Sequence, residues 1–228
     1  MNNPHIVKAF DQELQALTRN TTAMGEFAGA QFADAVRALL HADWALAQRV
    51  IDNDRRLDAF RTELSTAAAT VIARRQPLAM DLEEVLATFR IAEDLERIGD
   101  LAKNIAKRAT AVASSRFPPD IVQSVDTLAG LTAEHLKSAL ETFVARDGER
   151  AVIVRQQDEK IDELYSSIFR ELVGRLSADP TQAIGFVHLL FCAKNIERIG
   201  DHATHIAEAA YLIATGRRLE PEPERQDQ

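Results

Sequence analysis

Four pairs of acidic residues are the part of this sequence best suited to chemistry. The two members of each pair are four positions apart: Asp54/Asp58, Glu96/Asp100, Asp158/Asp162 and Glu197/Asp201. On a helix, residues at i and i+4 are surface neighbours with β-carbons ~5–6 Å apart, so two carboxylates there repel unless a positive group lies between them. A metal cation is one such group, because hard ions prefer carboxylate oxygens.

Two of these pairs continue for another helical turn. Asn104 follows the second pair and His205 follows the fourth. Two carboxylates followed by an amide or an imidazole on one helix face form a plausible set of metal ligands. Solvated helix surface, or ion pairs with neighbouring arginines such as Arg97 and Arg198, would explain the same acidic residues without metal. The spacing alone leaves both interpretations open.

The other histidines give weaker signals. His135 stands without an acidic ladder, and His188 lies in an apolar run that predicts a core position. His202 points about 100° away from Asp201 around the helix, so we expect it at most to support a ligand.

Prolines and capping residues divide the chain into six predicted helices. They cover about 5–40, 43–75, 78–115, 119–146, 148–177 and 180–215, with Asp43 and Asp147 as N-caps and Gly216 as a C-cap. Apolar residues within these segments recur every three or four positions, and no segment alternates with period two. The sequence therefore predicts an all-α fold, with the acidic pairs on the second, third, fifth and sixth helices.

An internal repeat organises these helices. Residues 91–109 match residues 192–210 at an offset of 101, with ten of nineteen positions identical. One helix upstream, an offset of 104 aligns the first acidic pair with the third. The repeat predicts two tandem three-helix bundles with antiparallel packing, in residues 1–116 and 117–217. Residues 218–228 are predicted to be a disordered acidic tail. Gly99 and Gly200, at equivalent positions, predict close approach between helices.

Composition and absent motifs exclude several classes of function. A net charge of −8 argues against nucleic-acid binding that depends on net charge. Cys192 is the only cysteine, which excludes an intramolecular disulfide, and we expect it to be a buried apolar residue. No apolar run reaches the ~20 residues that span a bilayer, and no secretory signal is apparent, so we expect a cytoplasmic protein. Phosphate-binding and nucleotide-binding loops are absent, so no organic cofactor is expected.

The segment Glu-Arg-Ile-Gly-Asp, present at 96–100 and at 197–201, resembles the signature of the PhoU family. Residues 74–82 resemble that family's linker into the third helix, and the likeness covers residues 5–216. The resemblance implies a non-catalytic, often dimeric regulator of phosphate homeostasis. Its partners would be the ATPase of a phosphate ABC transporter and a phosphate-sensing histidine kinase. It would associate with the membrane only through these partners. It would repress the phosphate-starvation response when phosphate is plentiful.

The same resemblance implies metal binding, because some family members hold iron or zinc clusters through these acidic motifs. That role would fall on Asp54, Asp58, Glu96, Asp100, Asn104, Asp158, Asp162, Glu197, Asp201 and His205. His205 departs from the asparagine usual in the family, which points to a softer metal such as zinc or nickel at the second site.

Two other functions compete with the regulatory one. A carboxylate-bridged di-iron oxidase is one, although the Glu-x-x-His motif typical of that class does not occur in the chain. A metal-free helical scaffold is the other. Oxygen consumption with ferrous iron and metal analysis of untagged protein would separate the three.

Overall fold

The computed structural model describes residues 4–112, 117–178 and 180–220, and within them it contains only helices and their connections. The helices are α1 (Pro4–His41), α2 (Trp44–Arg75), α3 (Met80–Ala111), α4 (Pro119–Ala145), α5 (Gly148–Ala178) and α6 (Ala183–Thr215), with a 3₁₀ turn at Pro180–Gln182. The predicted all-α fold with six helices is confirmed. None of the described helices is long and apolar enough to cross a membrane.

Helix ends follow the predicted caps closely. Asp43 accepts a hydrogen bond from the Leu46 amide at 2.9 Å, and Asp147 accepts one from the Arg150 amide at the same distance. Gly216 ends α6 at φ 72°, a conformation that favours glycine. These local signals therefore determine where α2, α5 and α6 begin or end.

Two predicted ends differ from the structure. α3 begins at Met80 instead of residue 78, because Gln76 and Ala79 both have positive φ and reverse the chain around Pro77. α6 begins at Ala183, after the 3₁₀ turn. The last residues predicted for α3, 113–116, lie outside the described part of the chain, as do residues 221–228 of the predicted tail.

The two repeated halves share one hydrophobic core. Helices α1–α3 form one bundle and α4–α6 the other, and α3 packs along α6 at the centre of the molecule. Asp94 of α3 contacts His202 of α6, and Arg108 contacts His188, so the two helices are antiparallel. Buried side chains from all six helices belong to a single cluster. Cys192 is fully buried within it, as predicted, and burial raises the pKa of its thiol to about 12.

The two mid-helix glycines allow the close packing that brings the acidic pairs together. A β-carbon on Gly99 would lie 2.2 Å from Leu57 Cδ1 of α2, far inside van der Waals contact. A β-carbon on Gly200 would lie 3.2 Å from both Asp158 Oδ1 and Ile161 Cδ1 of α5. The predicted close approach is therefore present in both halves, and it is tighter in the first.

We expect Gly99→Ala to lower the free energy of unfolding by about 1–2 kcal/mol, measured by urea denaturation. Displacing Leu57 costs about 1–3 kcal/mol, and better helix propensity returns up to about 1 kcal/mol. Gly130→Ala in α4 is the matched control, because a β-carbon added there would meet nothing within 4 Å. That control should gain stability. Equal gains for both variants would contradict close packing at Gly99.

Candidate metal centres

In the first half, a lysine lies between the two acidic pairs. Lys103 Nζ is 2.6 Å from Asp54 Oδ2 of α2 and 2.7 Å from Asp100 Oδ1 of α3. Burial alone would lower the pKa of Lys103, but the hydrogen bonds to Asp100 and Asp54 outweigh it and raise the pKa above its ordinary value. Asp54 and Asp100 are therefore already paired with a positive charge, which is the ammonium group of Lys103.

An arginine also pairs with carboxylates of the first half. Arg97 lies 3.3 Å from Asp100 Oδ2 and 3.7 Å from Glu96 Oε2. Asp58 and Asn104 are exposed. Burial, and then the neighbouring Asp100, raise the pKa of Glu96. The structure thus brings the first two acidic pairs together, but in the arrangement that the ion-pair interpretation describes.

In the second half, threonine replaces this lysine. Thr204 is the residue equivalent to Lys103 in the repeat. Asp162, Glu197 and Asp201 each place one carboxylate oxygen within 4.8 Å of the others. Lys194 binds Glu197 Oε1 from the edge of this group. The group has three carboxylates converging from α5 and α6, without a lysine at the centre.

Buried oxygens in this second group lack protein partners. Asp158 Oδ1 and Glu197 Oε2 are both buried, and neither has a hydrogen-bond partner among the described residues. Burial raises the pKa of Asp158 to about 7, and the carboxylates of Asp162, Asp201 and Glu197 contribute to the rise. Burial likewise raises the pKa of Glu197. Buried carboxylate oxygens without partners are the donors that a hard cation binds, so the residues of the second half fit a metal ion.

A histidine that the sequence did not associate with any acidic residue lies beside this group. His135 of α4 places Nε2 2.8 Å from Thr204 Oγ1 and 3.8 Å from Asp158 Oδ1. Burial lowers its pKa to about 4, so the imidazole is neutral at pH 7 and does not offset the carboxylate charge. Only the packing of α4 on α6 brings His135 here, which is why local spacing did not identify it.

His205 does not extend the acidic ladder as predicted; it turns toward α3. Its Nδ1 lies 3.3 Å from Asp94 Oδ1, and Nδ1 of His202 lies 2.8 Å from the same oxygen. The sequence predicts at most a supporting role for His202 and carries no signal at Asp94. The 100° that separates His202 from Asp201 around α6 is what directs it at α3. His188 is half-buried and contacts Arg108.

We expect the metal-free protein to lose stability as the pH rises from about 4 to about 7. The folded-state pKa of Asp158, about 7, lies above the ordinary value of 3.8, so the folded chain keeps a proton that the unfolded chain releases. Asp158→Asn should weaken this dependence and raise the free energy of unfolding at pH 8 by on the order of 2–4 kcal/mol. Urea denaturation at several pH values measures both effects.

The matched control is Asp54→Asn, the equivalent position in the first half. Asp54 holds Lys103 there, so this change should destabilise the protein at pH 8. A gain from both variants would show that the two acidic groups have the same electrostatics, contrary to the geometry.

Known proteins resemble this chain along nearly its whole length. The family model described as the PhoU domain matches residues 21–109 and 125–210. A phosphate-specific transport system accessory protein PhoU homolog from Rhizobium meliloti is 48% identical over 99% of this chain and 94% of that protein. The phosphate-specific transport system accessory protein PhoU from Escherichia coli is 33% identical over 94% of this chain and 88% of that protein. The crystal structure of PhoU from Pseudomonas aeruginosa has a TM-score of 0.87 and 32% identity, covering 91% of this chain and 100% of that one.

Proposed function

The chain belongs to the PhoU family, and from that premise we infer that it is a non-catalytic accessory protein of a phosphate transport system. The observation that carries this inference is the similarity to relatives named for that role, which extends over almost the whole chain. Both repeats match the domain model.

The role we propose is regulatory. The protein would work in the cytoplasm between the ATPase of a phosphate ABC transporter and a phosphate-sensing histidine kinase, and would repress the starvation response when phosphate is plentiful. The family resemblance supports this arrangement and a homodimer. The absence of a spanning helix among the described residues suits a protein that reaches the membrane through its partners. Light scattering on the purified protein tests the dimer.

Within this role, we assign metal binding to the second half. Asp158, Asp162, Glu197 and Asp201 would hold a hard cation such as iron, with His135 beside them. A cation there would supply positive charge that cancels the carboxylate repulsion and braces α5 against α6. The partnerless buried oxygens of Asp158 and Glu197 support this assignment. The first half holds Lys103 in the corresponding place.

A strain that lacks its own copy of this gene tests the proposed function. A reporter driven by a phosphate-starvation promoter should be active in phosphate-rich medium, and the wild-type chain should restore repression. Co-purification from membranes should recover the transporter ATPase and the kinase. Reporter activity that is the same with and without the gene would contradict the regulatory role. Failure to recover either partner would contradict the adaptor role.

Paired variants then test the contribution of metal. Glu197→Ala with Asp201→Ala should abolish metal binding by the acidic group of the second half and activate the reporter. Glu96→Ala with Asp100→Ala should leave that metal content unchanged, because the acidic group of the first half already binds Lys103. If metal is lost from the second half and repression persists, metal does not control the switch.

A further inference from the structure

We propose that Asp94, His202 and His205 form a zinc site at the junction of the two halves, separate from the acidic pairs. Their ligand atoms all lie within 4.8 Å of one another. Asp94 belongs to α3 of the first half and the two histidines to α6 of the second. An ion bound here would join the two central helices.

The distances suit tetrahedral zinc. Zinc–ligand bonds of ~2.0–2.2 Å in a tetrahedron place neighbouring ligand atoms about 3.3 Å apart. Asp94 Oδ1 and His205 Nδ1 already have that separation, at 3.3 Å. Asp94 Oδ1 and His202 Nδ1 are 2.8 Å apart, so a side-chain rotation of His202 would lengthen this separation to the one that zinc requires.

The two imidazoles are arranged to converge on one point. Their ring planes meet at 84°, with centroids 5.7 Å apart, so the rings do not stack. Both rings place Nδ1 next to Asp94 Oδ1. The side chains of Asp94 and His202 are each 17% exposed and that of His205 is 55% exposed. Two ligands are thus held by packing, and the third leaves a path from solvent.

The ligand types suit zinc better than a hard cation such as magnesium or calcium, which prefers oxygen ligands. Two imidazoles and one carboxylate are the protein ligands of open zinc sites, which leave a fourth position for water. Asp94 and His205 line a cavity of about 710 Å³, together with Arg90, Glu208 and Arg218. Glu208 lies 3.4 Å from Arg155, so it already has a partner.

The repeat provides an internal comparison. The equivalents of His202 and His205 in the first half are Leu101 and Asn104, and the equivalent of Asp94 in the second half is Asn195. The symmetry-related position therefore has no imidazole and no carboxylate. We expect one such zinc ion per chain.

Titration of the metal-free, full-length protein with zinc, measured by calorimetry, tests the proposal. The visible absorption spectrum of the protein with cobalt in place of zinc reports whether the site is tetrahedral. His205→Asn and His202→Leu, which install the residues of the first half, should each weaken zinc binding about 100-fold or more and abolish the tetrahedral cobalt bands. Asp94→Asn, which can still hydrogen-bond both histidines, should do the same and serves as the second variant if His202→Leu does not fold.

Two controls separate this site from the acidic group. Glu197→Ala with Asp201→Ala should keep one equivalent of zinc and the tetrahedral cobalt spectrum, and Asn104→Ala should change neither. The proposal is overturned if the histidine variants keep full zinc affinity, or if the acidic double variant loses all zinc. It also fails if the wild type never shows tetrahedral cobalt, because Asp94, His202 and His205 are then only a hydrogen-bonded cluster.

Discussion

Exchanging Lys103 and Thr204 is expected to move metal binding between the two halves. Thr204→Lys should weaken binding of a divalent ion at the second acidic group more than 100-fold. An ammonium group ~4 Å from a divalent ion repels it by about 8 kcal/mol at an effective dielectric constant of ~20, far more than 100-fold requires. Lys103→Thr should strengthen binding of a divalent ion at the first acidic group, because it removes the ammonium group that Asp54 and Asp100 now share.

Metal analysis of untagged protein and calorimetry with ferrous or manganous ions measure both changes. Lys107→Thr, which removes an exposed lysine one turn along α3, is the matched control and should leave metal content unaltered. The variant that carries both Lys103→Thr and Thr204→Lys should bind metal at one acidic group, that of the first half. Unchanged metal content in Thr204→Lys would show that the second acidic group does not hold the ion.

Truncating either of two equivalent isoleucines is expected to destabilise the whole protein as one unit. Ile98 of α3 and Ile199 of α6 are both fully buried and belong to the same core cluster. Substituting alanine for a buried isoleucine costs about 2–5 kcal/mol, because a cavity remains after apolar contacts are lost. Since the core crosses from one half to the other, both variants should shift a single unfolding transition.

Thermal and urea denaturation distinguish one cooperative unit from two bundles that unfold independently. Unfolding is monitored by circular dichroism and by a spectroscopic probe in each half. Coincident transitions that move together in both variants indicate one cooperative unit. Leu131→Ala, at a partly exposed position in α4, is the control and should cost under about 1 kcal/mol. Two transitions, with Ile98→Ala affecting only one, would show that the halves fold separately despite the shared core.

Most of the candidate site could be predicted from spacing, but the partners of its residues could not. The acidic pairs lie on neighbouring helices, because the repeat and the helical period determine which face each occupies. Asp162, Glu197 and Asp201 approach within 4.8 Å of one another, whereas in the first half Lys103 lies between Asp54 and Asp100. Lys103 carried a usable signal in the sequence, since it follows Asp100 by three residues and its equivalent is Thr204. His135 and Asp94 gave none, because each meets its partners across long sequence separations.

The sequence by itself determined the six helices, their caps, the two repeated halves and the resemblance to one family. These features depend on interactions within a few residues along the chain, or on direct comparison of its two halves. Only the tertiary structure decided that α3 lies antiparallel to α6 within one core, that Lys103 bridges Asp54 and Asp100, and that His205 contacts Asp94. Those outcomes depend on which helices touch and in what register, and side-chain packing between distant segments determines both.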